Sequence, residues 1–498
     1  MKKKEKKEII RRLKDIRTYL GGLLVILSLW FAVQLLLFGM LSVQYQFAIL
    51  FLLVGINVLI YSLMYEKKAH RTVRLAGKTL CAVLCVVLLV STMAMRLADS
   101  ILKDMTNASV VNKDISLIVK EDSLFEELQD FAGGDIPIGI QNAVYIESTD
   151  KLLEEMGNEL SEKPVTKEYG NLNLLINGLK DGDVQAIVLD EAYRSLVQDE
   201  WDTFSDDTRI IYSVNYSEKQ QNISKKIDVT NDPFLVMISG IDTYGDINTV
   251  SRSDVNILTA VNPQTGQILL VSIPRDYYVP IQAGTASTEG NLDKLTHSGL
   301  FGPTCTVRTV ENIFDYPINY YVRVNFTSVV DIVNAIGGIT VHSDMAFGEF
   351  QEGDNYCDGE QALAFARERY SFEDGDRERG RNQMKVIEAV VSKLTDPSLN
   401  YDYMGLIQIV RNSVEMNFSD AEIKDLVQFQ VVKRPAWTVQ QTSVNGTDAY
   451  DYSTFYGTQL YVMYPDQASI DAVKVQLQSI LGYEAETDSI PDQEVQQW

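Results

Sequence analysis

Hydrophobic positions follow two regimes along the chain. Three long runs come first: Tyr19 to Met40, Phe47 to Tyr65, and Leu75 to about Met95, the last carrying only Lys78 near its start. Each is close to the ~20 apolar residues that carry a helix across a bilayer. Beyond residue 98 the apolar runs shorten. Ile115–Val119 and Ala186–Leu189 read as strands, and Leu152–Leu160 and Leu172–Leu179 as helices, so residues 98–230 predict a small α/β accessory unit. The text changes at Asp232-Pro233. Phe234–Ile241 is a continuous apolar run, the signature of a buried strand. Val255–Val261 and Gln267–Ile273 are strand-like runs joined by the turn sequence 262–266, Asn-Pro-Gln-Thr-Gly. Tyr320–Asn325 reads as another strand, and Ser328–Ile336 as a helix stopped by Gly337-Gly338. Gly359–Ala366 and Gly380–Leu394 are helical, the latter with a stripe at Met384, Ile387, Val391 and Leu394.

These elements predict an α/β protein: a mixed sheet with helices on both faces, preceded by three transmembrane helices and the small α/β unit. The expected division is residues 1–97 for the basic segment and spans, 98–230 for the accessory domain, 231–483 for the mixed-sheet domain, and 484–498 for a polar, disordered tail.

Charge adds an orientation. Residues 1–78 hold 14 Lys and Arg against 4 Asp and Glu, whereas the whole chain carries −24. Positive-inside counting places the N-terminus and the basic segment 66–74 in the cytoplasm and the 41–46 link outside. The third span then delivers residues 98–498 to the extracytoplasmic face of the cell membrane. The acidic bulk argues against nucleic acid as a partner. Of the four cysteines, Cys81 and Cys85 read as packing residues within a span. Cys305 and Cys357 fall in the outer part, where pairing is open, since spacing does not establish proximity. His70, His297 and His342 are single and read as structural or surface residues.

Candidate chemistry collects at predicted loop positions between residues 234 and 383. Asp242 follows a buried strand, Arg252-Ser253-Asp254 precede the next, and Arg275-Asp276 follow another. The densest charge is Arg367-Glu368-Arg369 followed by the segment 374–383, Asp-Gly-Asp-Arg-Glu-Arg-Gly-Arg-Asn-Gln. Ligands of open α/β sheets bind beyond the carboxyl ends of strands. Arginine's planar fork matches paired phosphate oxygens. Arg367 and Arg369 would diverge by about 200° on a helix, so a shared ligand requires the helix to end near Ala366. Arg379 and Gln383 share a helix face near a positive N-terminal end. Asp242 and Asp254 suit a hard cation such as Mg²⁺, which is held by one or two carboxylates plus substrate phosphates. Such a set stabilises charge on a phosphoryl group in transfer.

The segments Gly-Ile-Asp (240–242), Arg-Ser-Asp (252–254), Ser-Ile-Pro-Arg-Asp (272–276), Lys-Leu-Thr-His (294–297), 325–339, 361–371 and 374–383 resemble, in order and spacing, the motifs of LytR–CpsA–Psr (LCP) proteins. The likeness is strong over about residues 230–395 and weak over 400–483. The three spans and intervening domain resemble the capsule and exopolysaccharide subgroup. The resemblance implies a phosphotransferase that moves a glycopolymer from undecaprenyl pyrophosphate to peptidoglycan, with an apolar pocket for the polyprenyl tail. It implies magnesium on Asp242 and Asp254, pyrophosphate on Arg275, Arg367, Arg369, Arg379 and Gln383, and an orienting acid at Asp376. Asp242, Asp254, Arg275 and Asp376 are thus the catalytic candidates, and Arg252 and Lys294 further candidates for substrate binding. Capsule assembly proteins are possible partners. The competing readings are a lipid-pyrophosphate hydrolase and a non-enzymatic regulator of polysaccharide assembly.

Overall fold

The computed structural model describes residues 16–38, 43–66, 70–106, 110–133, 136–142, 147–219, 223–244, 247–283, 290–372, 375–396 and 413–482. Two compact units emerge. The first holds helices α1 (Ile16–Phe38), α2 (Val43–Tyr65) and α3 (Arg71–Thr106). All three are long and apolar enough to cross a membrane. Leu24, Leu27, Ile60, Met64, Cys81 and Cys85 are buried where they meet. Asn57 Nδ2 donates to Ser28 Oγ across α1 and α2 at 3.1 Å, a polar tie of the kind used between spans. Helix α3 starts before the apolar run, because Arg71 and Arg74 are good helix formers and extend it by a turn.

The second unit contains two mixed sheets. In the first, β1 (Val110–Lys120) lies between β4 (Ala186–Asp190) and β5 (Thr208–Lys219), antiparallel to both. The parallel strands β2 (Ile138–Gln141) and β3 (Thr166–Tyr169) continue beyond β4. Helix α4 (Glu147–Leu160) buries Leu152 and Met156 on one face of this sheet. Helices α5 (Leu172–Lys180) and α6 (Arg194–Glu200) cover the other with Leu175, Ile176 and Leu196.

The second sheet has the order β14-β11-β6-β7-β8-β15. Its strands are β6 (Phe234–Ile241), β7 (Ser253–Asn262), β8 (Gln267–Ser272), β11 (Tyr320–Val324), β14 (Val414–Met416) and β15 (Thr438–Ser443). Three short pairs flank it: β9 (Tyr278–Pro280) with β10 (Leu292–Lys294), β12 (Ile339–Ser343) with β13 (Gly353–Cys357), and β16 (Gly446–Tyr452) with β17 (Gln459–Pro465). Alternate residues of β6, β7 and β8 point to opposite faces. Leu235, Met237, Leu258 and Val271 meet α7 (Pro303–Phe314) and α12 (Gln467–Leu481). Ile257, Ile268 and Leu270 meet Met384 of α10 (Asp376–Thr395). Helices α8 (Phe326–Ala335) and α9 (Gly359–Arg367) complete this unit, while α11 (Asp420–Lys433) groups with the first.

The two sheets share apolar packing. Val250, Leu300 and Tyr456, beside the second sheet, are buried with α5, α6 and Trp201, beside the first. At Gly457 (φ +93°) an added Cβ would lie 2.1 Å from Asn171, the residue whose side chain caps α5, so only glycine fits the joint. Cys305 and Cys357 are buried thiols outside any disulfide in this structure, two separate core residues. Burial pushes the Cys357 thiol up to about 11, with Asp358 and Glu349 adding to the shift.

Candidate active site

A cleft of about 680 Å³ opens between the second sheet and helices α8, α9 and α10. Its length is apolar. Ile238, Val255, Val322 and Val324 form the sheet side, and Val329, Ile332, Leu363, Val386 and Val390 the helix side. Helix α10 thus uses two stripes: Met384 enters the core, while Gln383, Val386 and Val390 face the cleft. On β11 the alternation is complete. Val322 and Val324 line the cleft, whereas Arg323 between them is buried and pairs with Glu415 of β14 at 2.9 Å.

One end of the cleft is charged because strands stop there. The register of β6 and β7 shifts at Gly240/Ile241, where Gly240 packs so closely that a Cβ would lie 2.7 Å from Val255. Such a bulge re-aims the chain that follows, and Asp242 emerges exposed at the cleft. Asp254 lies across from it at the start of β7. It accepts from Arg275 Nη1 at 3.0 Å and from Thr296 Oγ1 at 2.7 Å. Asp276 continues the array, with Lys294 Nζ 3.0 Å from one oxygen and Arg275 Nε 3.6 Å from the other. Burial, the largest influence on Asp254, pushes its carboxyl up. The charges of Arg275 and Arg252, the Thr296 hydroxyl and the charge of Arg379 together outweigh it and hold the carboxyl below the usual range. Asp254 is therefore ionised at neutral pH.

Helix α9 starts with a capping box at Asp358 and ends at Arg367, with Glu368 extended. Arg367 and Arg369 consequently reach the same cleft, as the two-residue spacing required. The Arg367 guanidinium lies 4.1 Å from the Phe326 ring centroid, and that of Arg369 lies 4.6 Å from the Tyr370 ring. Arg379 and Gln383 project from successive turns at the start of α10 into the cleft. Asp242, Arg252, Asp254, Arg275, Lys294, Arg367, Arg369, Arg379 and Gln383 therefore share one cavity. Asp376 opens α10, and its side chain lies outside the described residues.

The sequence missed five contributors. Thr296 sits within the Lys-Leu-Thr-His segment, but nothing in the pattern marked its hydroxyl. Leu460 and Tyr461 come from β17. Leu196 and Asp199 come from α6 of the smaller domain, and Asp199 Oδ2 accepts from Arg252 Nη1 at 2.8 Å. His297 is buried rather than on the surface, its Nδ1 2.6 Å from Asp293 Oδ1.

Among the described residues no group of three or more His, Cys, Asp or Glu forms a ready cation cage. The donor set nevertheless suits magnesium. Asp242 makes no side-chain hydrogen bond or ion pair among the described residues, Asp254 is ionised beside it at the same cleft, and the arginines would draw in the phosphate oxygens that complete such a site.

The LytR_cpsA_psr family model matches residues 202–479, more than half of the chain. The polyisoprenyl-teichoic acid–peptidoglycan teichoic acid transferase TagU of Enterococcus faecalis is 35% identical over 256 residues, which are 50% of this chain and 80% of the relative. The Bacillus subtilis transferase of the same name is 37% identical over 215 residues, 42% of this chain and 66% of that one. A crystal structure of B. subtilis TagU aligns at 31% identity with a TM-score of 0.40, covering 50% of this chain and 97% of that one.

Proposed function

The chain belongs to the LytR–CpsA–Psr family and is a phosphotransferase of that family, and from that premise we propose that it moves a glycopolymer from a polyprenyl pyrophosphate carrier to a hydroxyl of peptidoglycan. One observation carries the reading: a single cleft joins a long apolar passage to an arginine- and aspartate-lined end. That shape matches a donor with a hydrocarbon tail, a pyrophosphate and a glycan in series. Three N-terminal helices able to cross a membrane would hold the enzyme where such a donor resides, with the cleft on the extracytoplasmic side.

In the transfer, the acceptor hydroxyl attacks the phosphorus that carries the glycan. The new bond joins that oxygen to phosphorus, the bridging P–O bond breaks, polyprenyl phosphate leaves, and the hydroxyl proton passes to a base. Arg275, Arg367, Arg369 and Arg379 bind the phosphoryl oxygens and take up the charge that grows on them, a preorganised stabilisation that water would have to rearrange to supply. Asp254 holds Arg275 in position through its 3.0 Å contact, and Lys294 is held by Asp276 at 3.0 Å. Asp242 and Asp254 would hold Mg²⁺, which when bound would supply further positive charge to the phosphoryl groups.

A capsule or exopolysaccharide is the cargo favoured by the N-terminal arrangement of three apolar helices before a separate α/β unit. The matched relatives are named for teichoic acid. The test is release of polyprenyl phosphate from lipid-pyrophosphate glycans of each type by the purified chain. Turnover of the capsule-type donor, lost on chelation and restored by Mg²⁺, is expected. Turnover of teichoic donors alone would overturn the cargo, and turnover indifferent to chelation would overturn the metal.

A further inference from the structure

The β16–β17 hairpin presents a face that the transfer chemistry does not use. Its register pairs Tyr450 with Tyr461 and Tyr452 with Gln459. Strand alternation then places Asp448, Tyr450 and Tyr452 on one face with Gln459 and Tyr461. That face is open to solvent: Tyr450 is 72% exposed, Tyr452 48% and Tyr461 37%. Val462 is buried on the opposite face, and Met463, opposite Asp448, is buried at the end of the tyrosine face. The Tyr450 and Tyr461 rings stand 6.0 Å apart at 79°, and the Tyr461 hydroxyl donates to Asp448 at 2.9 Å. Tyr461 also lines the cleft, with Lys294 Nζ 5.9 Å from its ring centroid. The tyrosine face is therefore continuous with the charged end of the cleft.

We propose that this face is a ledge for the glycan strand of the acceptor, a polymer of N-acetylated amino sugars. The inference rests on the transferase reading of the cleft. A pyranose ring has an apolar C–H face and a rim of hydroxyls. Tyrosine offers the matching pair, an apolar ring and a polar tip, while Asp448 and Gln459 supply hydrogen-bonding groups for the rim. The ledge is an exposed hairpin face rather than a pocket, and Tyr461 joins it to the charged end of the cleft. This geometry suits a long strand modified at an internal position. A donor glycan begins at its own pyrophosphate and needs no surface running past the site.

The test uses the full-length chain in detergent micelles and a peptide-free tetrasaccharide of alternating N-acetylglucosamine and N-acetylmuramic acid. Binding is read by saturation-transfer NMR and titration, without turnover. We expect saturation to reach the sugar C–H protons, and Tyr450→Ala and Tyr452→Ala to weaken binding about tenfold each, the upper range for one aromatic contact. Tyr450→Phe, which keeps the ring, should retain most of the affinity. In transfer assays the alanine variants should raise KM for the acceptor and leave KM for the donor unchanged. Wild-type affinity in both alanine variants, or a change confined to donor KM, overturns the ledge. Tetrasaccharide binding without any transfer by the wild type would overturn the transferase reading while leaving the ledge standing.

Discussion

Asp254→Asn isolates charge from shape at the centre of the cleft. The amide is isosteric, so packing around β7 is kept, and Thr296 can still donate to its oxygen. What disappears is the negative partner of Arg275, now held at 3.0 Å, while Asp276 stays at 3.6 Å. Two opposing terms set the stability change. A hydrogen bond between charged groups is worth about 1.5–3 kcal/mol, while the neutral amide escapes the desolvation that is the largest influence on Asp254. The net loss should stay within about 2 kcal/mol. Activity should suffer more. Misplacing one charged group that acts on the transferring phosphoryl costs about 10²-fold in rate, close to 2.7 kcal/mol. The assay is polyprenyl phosphate release by the purified full-length chain, alongside its thermal melt. A second readout is pH. The folded carboxyl sits below its unfolded value of about 3.9, so its contribution is present above that value and is lost as pH falls through the folded pKa. The acid-side loss of wild-type stability should shrink in the variant. Near wild-type turnover in a folded Asp254→Asn protein would refute the role given to this carboxylate.

Asp293 is fully buried and accepts from Ser453 and the Phe455 N–H while facing His297, so Asp293→Ala should destabilise the fold by about 3–5 kcal/mol in chemical denaturation. Glu415→Gln leaves buried Arg323 without its counter-charge and should cost a similar ~3–5 kcal/mol, read as a lowered melting temperature. Asp199 is 58% exposed on its side chain, so Asp199→Ala should change stability by less than about 1 kcal/mol, yet it frees Arg252 at the cleft and should shift KM for the donor; an unchanged KM would remove the smaller domain from substrate binding. Cys305 and Cys357 are buried thiols outside any disulfide, so neither should alkylate in the native fold, and reduction should leave the mass of the chain unchanged.

Where apolar residues run without interruption, the sequence was readable. Phe234–Ile241 is strand β6 to the residue, because every position but one is buried. Boundaries set by polar contacts were not readable. Strand β7 starts at Ser253, two residues before the apolar run, since the Ser253 hydroxyl bonds Ser239 and Asn256 within the core. Helix α8 starts at Phe326 because the Asn325 side chain caps it, and α10 gains a polar first turn from Asp376. The site followed the same division. The motif order brought nine candidates to one cleft. Their pairing, such as Asp254 with Arg275 or Asp276 with Lys294, depends on strand register that no local pattern encodes. Leu196 and Asp199 were unreadable for a stronger reason: they come from helix α6, which packs on the other sheet, and lie outside the segment 202–479 matched by the family. Strand β16 of the hairpin escaped because its tyrosines alternate with polar residues and alanine, which gives no apolar run, whereas β17 carries one from Leu460 to Tyr464.

The central claim is that phosphorus carries the glycan onto peptidoglycan. The direct measurement is phosphorus NMR of the product formed by the purified full-length chain from a lipid-pyrophosphate glycan, Mg²⁺ and peptidoglycan oligomers. The account predicts a phosphodiester joining glycan to peptidoglycan, with one polyprenyl phosphate released for each bond formed. Release of polyprenyl phosphate with free glycosyl phosphate and no conjugate would make the chain a hydrolase and contradict the account.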